Sequence, residues 1–288
     1  MSENIVPWPP AFFELGSGEY APPERLTDQH SWYLRGQNFV TVLSQAGAGE
    51  VLQEEAAPDE HLVLVFEGVE VEATAGENRV SASGPSLVVV PAGPAQVTVC
   101  KPGDIVRVFS TRAPVAVKAA NAATYAVPDP RVAPLPDLDG PEGPGTLRVV
   151  PLADVPEVPG RLGRIYRSGS LMVNWFAPVY EPRDTDALTP HVHDDFEQAS
   201  LTLDGAFVHH IRRPWTERLR DWRPDEHVQV TSPSATFIPP GNIHTTRWVN
   251  RGRHQLVDVF APPRSDFIDQ GWVLNQADYE PATRGEVT

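Results

Sequence analysis

Apolar residues along this chain come in short runs, and few repeat at helical spacing. HLVLVFE (61–67), RVSA (79–82), SLVVVP (86–91), AQVTVC (95–100) and IVRVFS (105–110) fall in the first half. LMVNWFAP (171–178), QASLTL (198–203), AFVHHI (206–211), EHVQV (226–230), ATFIP (235–239), TTRWV (245–249) and QLVDVF (255–260) fall in the second. These runs are β-branched or aromatic, often alternate with period two, and are separated by Gly, Pro, Asp and Asn, so they read as strands and turns. The pattern predicts an all-β chain of short antiparallel strands in a barrel or jelly roll. Helical stretches are few. WTERLRDW (215–222) offers a turn or two, and the apolar pieces in 4–15 and 267–274 suit short helices or covers for sheet edges.

The second half repeats the first. Pro85, Ser86, Pro91, Gly93 and Gln96 in PSLVVVPAGPAQ match Pro233, Ser234, Pro239, Gly241 and His244 in PSATFIPPGNIH, each 148 residues on. DEHLVLVFEG, ending at Gly68, resembles FEQASLTLDG, ending at Gly205, at an offset of 137. The two offsets differ by 11 residues, which places an insertion between Gly205 and Pro233. A period near 140 is too long for a solenoid and predicts two duplicated domains. Between them AVPDPRVAPLPDLDGPEGPG (126–145), with six prolines and no apolar period, reads as a semi-stiff connector. The expected boundaries are a first domain over 1–125, a linker over 126–147 and a second domain over 148–288.

Composition narrows the function. A formal net charge of −15 argues against nucleic-acid or anionic-membrane partners. No run of 18 apolar residues is long enough to span a membrane, and the start, MSENIVPWPPAFFELG, does not read as a signal peptide. Cys100 is the only cysteine, so no intrachain disulfide is possible and a cytoplasmic home is the simplest expectation.

The strongest chemical signal is PHVHDDFEQ (190–198). If this stretch is extended, His191, His193 and Glu197 at i, i+2 and i+6 share one face. His244, after the PPGNI turn, would add a fourth donor. Three imidazoles and a carboxylate suit one divalent transition metal such as Zn, Fe, Mn or Ni.

These two motifs resemble those of the cupin superfamily, in which an HxHxxxE block and a distant PxGxxH histidine hold one metal inside a small β-barrel. The resemblance extends over both halves as a fold and implies two tandem cupin (jelly-roll β-barrel) domains, a bicupin. It implies His191, His193, Glu197 and His244 as ligands. The interval from Glu197 to Gly205 is one residue longer than is common in the family, and Trp248 stands where the family often has Asn. In the first copy Glu54 and Ala56 replace the two histidines, Glu60 aligns with Glu197, and Gln96 replaces His244. The first domain is therefore expected to be a metal-free scaffold.

Seven of the nine histidines lie between His191 and His254. One of His209 and His210 should face inward as a catalytic acid or base, since strand side chains alternate. Phe207 and Ile211 favour His209, whereas aligning Val71 with Val208 favours His210. The insertion carries Arg212, Arg213, Arg218, Arg220 and Arg223 among acidic residues. Arg212 and Arg213 are candidates for binding an acidic substrate, and the competing reading is a salt-bridged surface loop. Trp248 shares the parity of His244 and is a candidate pocket wall. The expected activity is Lewis-acid chemistry of the isomerase, epimerase or lyase type on a small sugar acid or keto acid, an expectation that leans on similarity to uronate-type bicupin isomerases. The alternative is an iron-dependent dioxygenase, and a third reading is a non-enzymatic binding or storage protein. The resemblance also implies a homodimer.

Overall fold

Two six-stranded sheets lie back to back at the centre of the computed structural model, which describes residues 6–15, 30–138, 145–155, 161 and 163–280. The sequence start at 1–5 and the connector residues 139–144 lie outside the described residues. In the first half the strands are β1 (Ala11–Glu14), β2 (Ser31–Arg35), β3 (Phe39–Ala46), β4 (Val51–Ala57), β5 (His61–Val65), β6 (Glu70–Ala75), β7 (Asn78–Ser83), β8 (Ser86–Val90), β9 (Gly93–Lys101) and β10 (Gly103–Ser110). In the second they are β11 (Arg148–Pro151), β12 (Gly163–Arg167), β13 (Met172–Phe176), β14 (Gln198–Asp204), β15 (Ala206–Arg212), β16 (Glu226–Thr231), β17 (Ser234–Ile238), β18 (Ile243–Val249) and β19 (Gln255–Phe260). The single α-helix among the described residues is α1 (Ser265–Asp269), and the insertion contributes one short turn at Leu219–Asp221. The chain is essentially all-β and resembles tandem jelly-roll domains.

The two large sheets have matching orders, β11-β8-β5-β10-β3-β2 and β1-β17-β14-β19-β13-β12. Each recruits one edge strand from the other half. The segment expected to form a short helix or an edge cover, 4–15, supplies β1, which pairs with β17 from Ala11↔Phe237 to Glu14↔Ser234. In return β11 pairs with β8 from Arg148↔Val89 to Pro151↔Ser86. The connector is not a free spacer. Asp129 and Val132 are buried, and the Ala133 N–H donates to the Asp195 carbonyl at 2.7 Å.

Strand alternation sorts the side chains of each large sheet onto two faces. In β5 and β14, Leu62, Leu64, Ala199 and Leu201 enter the shared central core with Leu87, Val89, Phe237, Val257 and Val259. The opposite face of each sheet looks into its own half. In the first half it carries Val63, Val65, Val88, Val90 and Ile105, which pack against Ala73, Ala95, Val97 and Val99 of the four-stranded sheet β4-β9-β6-β7. In the second it carries Gln198, Ser200, Thr236 and Asp258, which are buried beneath the three-stranded sheet β16-β15-β18. One interior is apolar and the other polar on the same frame.

The first copy keeps a polar remnant. His61, at the strand position of Gln198, is fully buried, stacks on Phe109 with ring centroids 4.6 Å apart, and has neither ring nitrogen hydrogen-bonded. Arg107, at the position of Asp258, is buried in an ion pair with Glu54, the counterpart of His191. The correspondence of Gln96 with His244 does not survive in the structure. β4 pairs Glu54 with Ala95, as His191 pairs with His244, so Ala95 takes the inward place. Gln96 turns to the opposite face, where its amide donates to Thr98 at 3.2 Å.

This packing has two measurable outcomes. Phe237 stacks on Phe39 across the central core at 6.1 Å and is almost fully buried. Phe237→Ala should cost about 3–5 kcal/mol by denaturant unfolding. Burial lowers the pKa of His61 to about 3. Its unfolded form takes up a proton near 6.5 while the folded form stays neutral, so its contribution is complete above pH 6.5 and is lost on acidification toward 3. Relative to His61→Leu, the wild type should lose roughly 1.4 kcal/mol per pH unit across that window, read from urea midpoints at successive pH values.

Candidate metal centre

Backbone pairing brings the two histidine motifs together. PHVHDDFEQ is not a continuous strand up to Gln198. His191 forms an isolated bridge with His244, its N–H donating to the His244 carbonyl at 3.0 Å and its carbonyl accepting the return bond at 2.8 Å. The PPGNI turn is fixed by Gly241, whose φ of +81° suits glycine and whose N–H donates to the His193 carbonyl at 2.7 Å.

The three imidazoles form a near-equilateral group. Ring centroids are 4.8 Å apart for His191–His193, 4.4 Å for His191–His244 and 4.9 Å for His193–His244. One ring nitrogen from each falls within 4.8 Å of the others, and no other such group occurs among the described residues. Nδ1 of His191 lies 2.9 Å from the Thr189 carbonyl, and Nδ1 of His244 lies 2.9 Å from the Asn242 carbonyl. A carbonyl accepts only, so both carry their proton on Nδ1 and leave Nε2 as a lone-pair donor. Nε2 of His244 is buried with no hydrogen-bond partner. Burial and neighbouring cations push His193 down to about 2, and burial takes His244 to about 4, so both are neutral near pH 7. The cluster can hold a single divalent transition metal ion. His191 is exposed and His193 and His244 are buried, so the group opens on one side.

Glu197 does not join the three histidines. Its carboxylate points away and accepts the Gln37 N–H at 2.7 Å and the Tyr125 hydroxyl at 2.8 Å, both from the first half. Burial raises its pKa to about 7 against the pull of those two donors. The i, i+2, i+6 parity fails because 192–197 is irregular rather than extended. The next residue points toward the triad instead. Oε1 of Gln198 lies 2.9 Å from Nε2 of His193. The Gln198 amide nitrogen donates to Ser200 Oγ at 2.9 Å and Asp258 Oδ1 at 3.1 Å, which leaves the oxygen facing His193. The long Glu197-to-Gly205 interval was the available signal, since counting back the usual distance from Gly205 arrives at Gln198.

The parity of His209 and His210 is settled by the register of β15 on β18. Phe207↔Trp248, His209↔Thr246 and Ile211↔His244 are opposite pairs, so all six side chains share the inner face. His209 is fully buried, with Nδ1 2.9 Å from Thr246 Oγ1 and Nε2 unpartnered, and burial lowers its pKa to about 3. His210 faces outward to His227 and Arg247. The Val71 alignment misleads because β6 begins two residues after Gly68 whereas β15 begins one residue after Gly205.

The remaining candidates lie elsewhere. Trp248 packs with Phe207, Val230 and Leu256, and its indole N–H donates to the Glu181 carbonyl at 2.9 Å. Arg212 makes a two-toothed ion pair with Asp225, and Arg213 pairs with Glu226 at 3.2 Å, which is the salt-bridged loop. The cation beside the triad is one that no motif flagged. Arg264 comes shortly after β19, stacks 3.5 Å from the Phe267 centroid and 4.7 Å from that of Phe196, and is held by Asp266 at 2.6 Å. With His193 and Phe196 it lines a cavity of ≈ 370 Å³.

No family model and no curated protein matches the sequence. Solved structures do. An oxalate decarboxylase of Lactobacillus farciminis in a formate complex aligns with a TM-score of 0.56 at 13% identity, covering 88% of this chain and 86% of that one. A Bacillus subtilis oxalate decarboxylase aligns at 0.55 and 12% identity, covering 88% and 78%. The likeness is one of fold. In this chain that fold carries one three-histidine group among the described residues, in its C-terminal half, with an apolar interior in the N-terminal half. No helix among the described residues is long and apolar enough to cross a membrane.

Removing one imidazole should abolish tight binding. His193→Ala is expected to lose metal at stoichiometric loading by elemental analysis, while its apo thermal midpoint stays close to that of the wild type.

Proposed function

We propose that this protein is a metal-dependent enzyme acting on a small organic acid by lyase- or isomerase-type chemistry. The observation that carries the reading is the charge of the donor set. The three imidazoles bring no negative charge, and Glu197, the carboxylate that would cancel one positive charge, is turned toward the other half. Gln198 Oε1 accepts from His193 Nε2–H at 2.9 Å and orients that ring. A divalent ion held there keeps its full charge and, as a Lewis acid, would polarise a carboxylate or carbonyl oxygen.

The chain's own groups complete the site. Arg264 adds a second positive charge next to His193 and is immobilised by three aromatic rings and Asp266, an arrangement suited to orienting a carboxylate. His209 is the interior group best placed to move a proton, because Thr246 fixes one ring nitrogen and the other is free. Asp258 and Ser200 hold the Gln198 amide in one orientation. The oxalate decarboxylases of similar fold act, by their name, on a small dicarboxylate, and that supports the substrate class. A ring-cleaving dioxygenase has no comparable support here.

The test is turnover of small dicarboxylic and keto acids with and without air. Anaerobic turnover at the aerobic rate is expected, and Arg264→Gln should raise KM about tenfold or more through the lost charge-assisted bond. Substrate-dependent oxygen uptake would replace this reading with the oxygenase.

A further inference from the structure

Glu197 belongs to a device that occurs twice. Glu197, in the C-terminal half, accepts the Tyr125 hydroxyl at 2.8 Å and the Gln37 N–H at 2.7 Å from the N-terminal half. Glu60, its counterpart, accepts the Tyr279 hydroxyl at 2.8 Å and the Gly169 N–H at 3.3 Å from the C-terminal half. Each tyrosine lies beneath an arginine. The Arg35 guanidinium is 5.3 Å from the Tyr125 centroid, and that of Arg167 is 4.8 Å from Tyr279. Each arginine is gripped through its backbone by an asparagine. Arg35 N–H donates to Asn121 Oδ1 at 2.9 Å, and Asn121 Nδ2 donates to the Arg35 carbonyl at 2.8 Å. Arg167 and Asn275 repeat both bonds at 2.9 and 2.8 Å. Each half thus holds out an Arg–Asn–Tyr receptor and captures the other's glutamate.

The copies differ at the residue after the glutamate. Next to Glu60 stands His61, in an interior filled by valines. Next to Glu197 stands Gln198, against His193. The two side chains leave adjacent Cα atoms in different directions, Glu197 to the N-terminal half and Gln198 to His193. Anchoring Glu197 on one side therefore fixes where Gln198 stands on the other. Gly36 allows the close approach, since a Cβ there would sit 2.6 Å from Glu197 Oε2.

We infer that Tyr125 is a positioning residue for the metal centre of the opposite half, and that the N-terminal half, which holds no such centre among its described residues, sets the geometry of its neighbour's. The inference rests on the metal reading, and the duplicated device supplies the control. Glu60 has an additional partner in Arg148 at 3.1 Å, and no histidine triad lies behind it among the described residues.

The experiment compares the full-length wild type, Tyr125→Phe, Tyr279→Phe and His193→Ala. Each is measured for apo thermal midpoint, Mn²⁺ affinity by calorimetric titration, and the electron paramagnetic resonance spectrum of bound Mn²⁺. Both phenylalanine variants should lose some thermal stability. Only Tyr125→Phe should weaken Mn²⁺ binding, by about tenfold as for other outer-sphere contacts, and alter the spectrum. Wild-type affinity and spectrum in Tyr125→Phe, with binding lost in His193→Ala, would overturn this inference and leave the metal centre standing. Equal weakening in both tyrosine variants would overturn it too, as a general stability effect. A wild type that binds no Mn²⁺ tightly would remove the metal reading and this inference with it.

Discussion

The contact on which the molecule depends is the apolar seam between its two six-stranded sheets. Leu62, Leu64, Leu87 and Val89 from one half meet Ala199, Leu201, Phe237, Val257 and Val259 from the other, all essentially dry. At about 1.5–3 kcal/mol for each large side chain removed from water, this seam commits one face of every participating strand. On this face the halves differ only in which apolar residue stands at a position, as with Leu62 against Ala199 and Val89 against Phe237, and the polar differences lie on the other face. There the sequences have parted: valine against serine and threonine, His61 against Gln198, Arg107 against Asp258.

The parting has a simple electrostatic logic. A jelly-roll interior without an imidazole cluster must either close with apolar groups or balance its charges internally. The N-terminal half does both. Ala95, Val97 and Val99 fill the strand that carries His244 in its partner, and Arg107 supplies a built-in cation for Glu54. In the C-terminal half Asp258 stays buried among hydroxyls and the Gln198 amide, and burial raises its pKa to about 7.

Much of this was legible in the sequence. Each of the strands read from the short apolar runs is present, and the histidines of HVH and PPGNIH do meet, because HxH spacing and a glycine turn are local features. Parity arguments failed where the chain stops being regular. Counting i, i+2, i+6 misplaces Glu197 because 192–197 is irregular and β14 begins only at Gln198, and matching Gln96 to His244 crosses a shift of register. Contacts made between halves were invisible to any local pattern: the exchanged strands and the tyrosines that hold the glutamates depend on which surfaces the folded halves present to each other, and Arg264 reaches the triad within its own half from a turn that no motif marks.

The exchanged edge strands make each half a structural requirement of the other. Ala11–Glu14 completes the sheet that bears the histidine turn, and Arg148–Pro151 completes the other. Because each half lends an edge strand to the other, neither can be removed without baring a row of unpaired amides and carbonyls, which sheets tolerate poorly. The half in which no histidine triad occurs among the described residues is therefore as necessary to the backbone pairing as the half that carries one.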